Sequence, residues 1–109
     1  MIIDKVREYF LNFCSVNKEG LYAQFSEVIV LTDWDTQASG IEEVMDAFDN
    51  IWSNLSNIRV KIDSIDVLDN RAYCSIEIEA EELADCLRVI DIIDFNTSGK
   101  IASITAYKR

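Results

Sequence analysis

Three observations predict an α+β fold. Residues 2–15 and 41–55 repeat apolar side chains at the three-and-four spacing of an amphipathic helix. Residues 58–107 instead alternate apolar and polar side chains between turn signals, the period of half-buried strands. The order is helix, helix, strand, helix, then strands in succession, which suits a bent antiparallel meander with helices packed on one face.

In the first helix Ile2, Val6, Tyr9, Phe10 and Phe13 share a face, and Asn17-Lys18-Glu19-Gly20 ends it. A short helix is expected over Leu21 to Phe25. Val28 to Trp34 reads as a strand, with Ile29, Leu31 and Asp33 on one face and Val28, Val30 and Thr32 on the other. A loop spans Asp35 to Ser39. From Ile41 to Leu55 the inward stripe is Ile41, Val44, Met45, Phe48, Ile51, Trp52 and Leu55, which reads as core packing. Ile58, Val60 and Ile62 alternate in one phase, and Ile65 and Val67 in the other. That slip at Asp63-Ser64 predicts a bulge bending a long strand. Leu68-Asp69-Asn70-Arg71 is a turn. Ala72 to Ala80, Leu87 to Phe95 and Ile101 to Tyr107 complete the meander.

The chain of 109 residues is expected to form one domain, 1–109, burying roughly two-thirds of its unfolded surface. No proline, linker or composition shift divides it. No apolar run reaches the ~20 residues of a membrane span. No basic start followed by an apolar stretch is visible, so a cytoplasmic location is expected. The formal charge of −10 argues against nucleic acid and anionic membranes as partners. Cys14, Cys74 and Cys86 lack metal-like spacing and are expected to be buried free thiols.

Absences narrow the chemistry. Without histidine, Ser-His-Asp and Cys-His mechanisms are excluded. The three glycines are too scattered for a phosphate-cradling loop. Glu77, Glu79 and Glu81 read as a solvated strand face rather than a metal site. No cofactor or metal is therefore expected, and acid–base work would fall to carboxylates, tyrosines, lysines or cysteines.

Asp91 is the informative residue. Alternation places it in an apolar row with Leu87, Val89, Ile93 and Phe95. A carboxylate there must be hydrogen-bonded, charge-paired or protonated, because burying a bare anion costs several kcal/mol or more. Such a group is a candidate acid or hydrogen-bond donor in a pocket.

The chain resembles the NTF2-like superfamily, in its SnoaL-like and ketosteroid-isomerase-like branch. The carriers are Val6 to Phe10, Phe25 to Trp34, Gly40 to Val44, Val89 to Phe95 and Gly99 to Tyr107, taken in their order and spacing. The resemblance implies a cone: a curved antiparallel sheet wrapped around three helices from the N-terminal half, enclosing an apolar pocket. It also implies a homodimer through the outer sheet face, where Arg88, Ile90 and Ile92 lie.

Carried over by position, the isomerases' oxyanion-holding tyrosine falls on Tyr9, their carboxylate base on Asp33, and their protonated acid on Asp91. Residues expected to line the pocket with them are Phe13, Leu31, Phe48, Trp52, Val89 and Ile93. Trp34 stands where the isomerases carry proline, the following loop is shorter, and Asp35 is a rival base. The resemblance thus implies a small apolar carbonyl compound as ligand and proton transfer beside its carbonyl. The alternative is a non-catalytic ligand-binding or dimerisation module. A polyketide cyclase or epoxide hydrolase ranks behind both, since an epoxide hydrolase would want an arginine between two pocket aspartates and Arg88 has the wrong parity.

Overall fold

The structure, a computed structural model, describes residues 1–109. Helix α1 (Ile2–Cys14) buries Val6, Tyr9, Phe10 and Phe13, the face that its spacing predicts. It also buries Asn12, whose amide is satisfied locally. Asn12 Nδ2 donates to Gln24 Oε1 at 3.0 Å, and Asn12 Oδ1 accepts from Asn17 Nδ2 at 3.1 Å. This pairing ties α1 to α2 (Lys18–Gln24), which starts three residues earlier than its apolar pattern suggested. The reason is a cap: the Asn17 side chain accepts from the Gly20 amide at 3.0 Å. A Cβ on Gly20 would fall 2.6 Å from Asn12 Oδ1, so a larger residue there would displace the Asn12 amide.

Strand β1 (Phe25–Thr32) leads through a turn to β2 (Gln37–Ser39), three residues inside the expected loop. Gly40, at φ +88°, then turns the chain into α3 (Ile41–Asn54), a conformation that favours glycine. The Gly40 amide donates to Ile29 O at 2.7 Å and pins this corner to β1. Strands β3 (Arg59–Leu68), β4 (Arg71–Glu79), β5 (Leu87–Phe95) and β6 (Ile101–Lys108) follow as the meander.

The sheet order is β2-β1-β6-β5-β4-β3, and the sheet is open. It is mixed rather than wholly antiparallel: β1 pairs with β6 in parallel, while the other pairings are antiparallel. Strand β2 and helix α3 separate β1 from the meander in sequence, so its direction relative to β6 is set by the closure of the fold and not by a hairpin. The β3–β4 register shifts between Ile62 and Ser64, at the phase slip read from the sequence.

The helices fill the hollow of the curved sheet. Phe48 of α3 is 2% exposed and stands at the centre of an aromatic cluster. Its ring centroid lies 5.7 Å from Phe13, 5.8 Å from Phe25, 5.8 Å from Trp52 and 6.3 Å from Tyr9. Inward residues of four strands (Ile29, Ile76, Ile93 and Ile104) close the core beneath it. Of the cysteines, Cys74 is buried and Cys14 half-buried. Cys86 is exposed, contrary to expectation, because it lies in the irregular segment before β5.

Candidate functional site

A cavity of about 300 Å³ opens between α1, α3 and the concave sheet face. This lies at the small end of ligand pockets, roughly 300–1,000 Å³. Its wall is mostly apolar. Helix α1 contributes Tyr9, Phe10 and Phe13, α3 contributes Phe48 and Ile51, and Leu55 follows at the end of α3. The sheet contributes Leu31, Ile76, Ile78, Leu87, Val89, Ile104 and Ala106. The polar lining consists of Tyr9, Asp33, Asp35, Thr36, Asn50, Asn54 and Asp91 with the indole of Trp34. No lysine, arginine or histidine lines it.

Asp91 occupies the middle of β5, paired across the ladder with Cys74 of β4 and Ala106 of β6. These two small neighbours leave its side chain room on the concave face. The residue is 7% exposed, and no protein group hydrogen-bonds its carboxyl. Its oxygens are not sealed away, however, since the interior contains no enclosed, unpartnered side-chain oxygen or nitrogen. They therefore face the cavity. Burial, with a smaller contribution from the Asp33 charge, pushes the Asp91 pKa up to about 7.

Asp94 is the counter-example on the same strand. Three positions on, it faces the other side, where Arg71 Nε donates to its Oδ1 at 2.6 Å and Ser103 Oγ to its Oδ2 at 2.8 Å. Partial burial would raise its pKa, but these hydrogen bonds and the guanidinium charge outweigh burial and hold it below the usual carboxylate value. One strand thus carries a paired, ionised carboxylate outside and an unpaired, proton-retaining one inside.

Tyr9 is 4% exposed, wedged among Phe10, Phe25 and Phe48, and its hydroxyl also lacks a protein partner. Burial first, then the Asp91 charge and the Cys74 and Cys14 thiols, holds its pKa well above the usual phenol value. It is a neutral donor at physiological pH. Cys74, beside Asp91, is pushed up to about 12 by burial and the nearby Asp91 and Asp66 charges, so it stays a thiol.

Asp33 lies just past β1 at the cavity wall. Its Oδ1 accepts from the amides of Asp35 at 2.8 Å and Thr36 at 2.7 Å, while its own amide donates to Thr36 O at 2.9 Å. This is an Asx turn, and it fixes the orientation of the carboxylate. The second oxygen, Oδ2, accepts no hydrogen bond from the protein. Asp35 is exposed at the rim.

Tyr9, Asp33 and Asp91 therefore line one cavity, together with Phe13, Leu31, Phe48 and Val89. Trp52 and Ile93 do not line it. Trp52 packs on Phe13 and Phe48 and donates its indole N–H to Phe13 O at 3.1 Å, so it faces the helix junction. Ile93 is fully buried between Ala72 and Ile104, past the point where β5 leaves the cavity for solid core. Asn50 and Asn54, absent from the sequence-based site, stand one helical turn apart on α3, and Asn54 Nδ2 donates to Asn50 O at 2.8 Å. Their signal was present: polar residues flanking the inward stripe at four-residue spacing.

A curved open sheet closing over three helices, with an apolar cavity between them, defines a small α+β fold. No family model matches the sequence, and no curated protein matches it. Solved structures do. A candidate isomerase of the SnoaL-like family from Agrobacterium tumefaciens superposes with a TM-score of 0.85 at 13% identity, covering 98% of this chain and 96% of that one. An NTF2-like protein of unknown function from Cytophaga hutchinsonii gives 0.83 at 13% identity, covering 100% and 90%. A candidate ketosteroid isomerase from Kribbella flavida gives 0.83 at 11% identity, covering 97% and 76%. At such identities the likeness speaks for the fold alone: the chain has the NTF2-like fold.

Proposed function

We propose that the cavity binds a small apolar carbonyl compound and transfers a proton beside the carbonyl. One observation carries this reading: Asp91 is a buried acid with no protein partner, turned toward an apolar cavity. A carboxyl so placed retains its proton up to about pH 7 and donates it as a hydrogen bond. The Tyr9 hydroxyl is a second neutral donor on the same wall. Two such donors on one carbonyl oxygen stabilise the enolate as charge develops there.

Asp33 is the base in this reading. Its Oδ1 is committed to the Asx turn, which leaves Oδ2 to take the proton from the carbon beside the carbonyl and return it elsewhere on the ligand. Low dielectric and fixed donors in the cavity strengthen each of these interactions. The test is turnover of a β,γ-unsaturated ketone, followed by the absorbance of its conjugated product. Asp33→Asn should abolish turnover while ketone binding persists. Unchanged rates in Asp33→Asn refute Asp33 as base.

A second reading is supported by the same turn. The two amides on Asp33 Oδ1 give this residue a structural task that needs no chemistry, so the cavity would bind ligand without turnover. Ketone binding with no product in either protein favours that reading. The partner in either case is a second copy of the chain, docked on the outer sheet face where Ile90, Ile92 and Tyr73 lie beside Tyr107, which is 56% exposed. A monomeric mass in solution at micromolar concentration refutes the dimer.

A further inference from the structure

We propose that the cavity also takes an apolar ammonium ion, a caged or terpenoid-sized amine whose charge rests against the Asp33 and Asp91 carboxylates. The inference rests on the reading of the cavity as a ligand site, but not on catalysis there. Three observations lead to it. The lining carries Asp33, Asp35 and Asp91 and no basic side chain, so every formal charge facing a ligand is negative. Asp91 is 7% exposed, unpartnered and open to the cavity, which leaves a buried acid with no counter-charge in the protein. The rest of the wall is aromatic and aliphatic and includes the rings of Tyr9, Phe13, Trp34 and Phe48, a lining type that attracts cations.

The protein satisfies its other inner-strand charges differently. Asp94 on the same strand has Arg71, and Glu77 on β4 has Lys61 at 3.7 Å and Arg88 at 3.8 Å. The cavity lining has no equivalent cation. Lys108 shares the concave side of β6 with Ala106 but is engaged over the Trp34 ring at 4.9 Å. An ammonium ligand would supply the missing charge, and its N–H groups would give the carboxylate oxygens hydrogen-bond partners. Anionic ligands are excluded by the same field.

The groups facing Asp91 are Tyr9 from α1, Asp33 from the end of β1, and Cys74 from β4; β6 presents only Ala106 there. Tyr9 and Cys74 hold their protons at neutral pH, so Asp91 is the group that changes between pH 6 and 8. Below that range it donates to a carbonyl. Above it, the ionised carboxylate prefers a cation. One cavity thus serves two ligand classes, and Asp91 selects between them.

The test uses three cage molecules of one size: 1-adamantylammonium, 2-adamantanone and adamantane-1-carboxylate, titrated calorimetrically at pH 6 and pH 8. The ammonium keeps its charge throughout, since alkylamines titrate near 10. Its affinity should rise about tenfold from pH 6 to pH 8, following the ionised fraction of Asp91, while the ketone's falls about tenfold. The carboxylate should not bind at pH 8. Asp91→Asn should abolish the pH dependence and lower the ammonium-to-ketone preference at pH 8 at least tenfold, and Asp33→Asn should lower it as well. Ketone binding with no ammonium binding at pH 8, or an ammonium affinity indifferent to both substitutions, overturns the inference and leaves the carbonyl reading standing. If none of the three binds, the ligand-cavity reading itself fails.

Discussion

Replacing Asp91 with asparagine should make the protein more stable at high pH, although it removes a buried side chain's native chemistry. In the native state the carboxyl is pushed up to about 7, mainly by burial and then by the Asp33 charge, against 3.8 in its ordinary state. The native state therefore holds the proton more tightly than the unfolded chain does. Asp91 costs nothing at a pH below its unfolded value, and its cost grows as pH rises through the window from about 4 to 7. Linkage puts that cost at about 1 kcal/mol near pH 4.5 and about 4 kcal/mol near pH 8. Asparagine is nearly isosteric and never ionises. It leaves an amide without a protein partner, for which about 1–3 kcal/mol must be subtracted. That subtraction is independent of pH, so the cleanest quantity is the change in the stability difference: about 3 kcal/mol in favour of the variant between pH 4.5 and pH 8. Urea denaturation of both proteins at the two pH values measures it. The other carboxylates are common to both proteins and cancel, apart from the coupling with Asp33. A stability difference that does not change with pH would show that Asp91 titrates like an exposed aspartate, and the burial argument would be refuted.

Other outcomes follow from the same geometry. Turnover of a β,γ-unsaturated ketone should decline above about pH 7 as the Asp91 carboxyl loses the proton it donates; a rate that climbs steadily to pH 9 contradicts its role as donor. Tyr9→Phe should change folding stability by no more than about 1 kcal/mol, because the hydroxyl has no protein partner to lose, yet it should weaken ketone binding measurably in calorimetry. Phe48→Ala, at the centre of the aromatic cluster, should cost about 3–5 kcal/mol in chemical denaturation. Gly20→Ala should destabilise through a clash with the Asn12 side chain, visible as a lowered melting temperature that Asn12→Ala partly restores.

Much of this arrangement is legible in local periodicity. The inward faces of both long helices, the bulge at Asp63-Ser64 and the inward direction of Asp91 follow from spacing alone, because each depends on a few adjacent residues. What spacing misses is set by distant parts of the chain. The parallel pairing of β1 with β6 joins residues more than 70 positions apart, and β2 is too short to show a period. Parity places Ile93 beside Asp91, but the cavity ends between them, and only the packing of α1 and α3 decides where. Trp52 follows the helical stripe yet points at Phe13, since the stripe is wider than the cavity. Asp33 faces the expected side, while its Asx turn depends on the Asp35 and Thr36 amides, which face parity does not describe.

A carbon-detected NMR titration of the Asp91 carboxyl would probe the unpartnered inner acid with least interference, carried out on the native protein and on Asp33→Asn. The account predicts a midpoint near pH 7 in the native protein and a lower one once the neighbouring charge is removed. A midpoint near 4 in both proteins would mean that water or a protein group stabilises the ionised carboxylate, and the cavity chemistry built on it would be wrong.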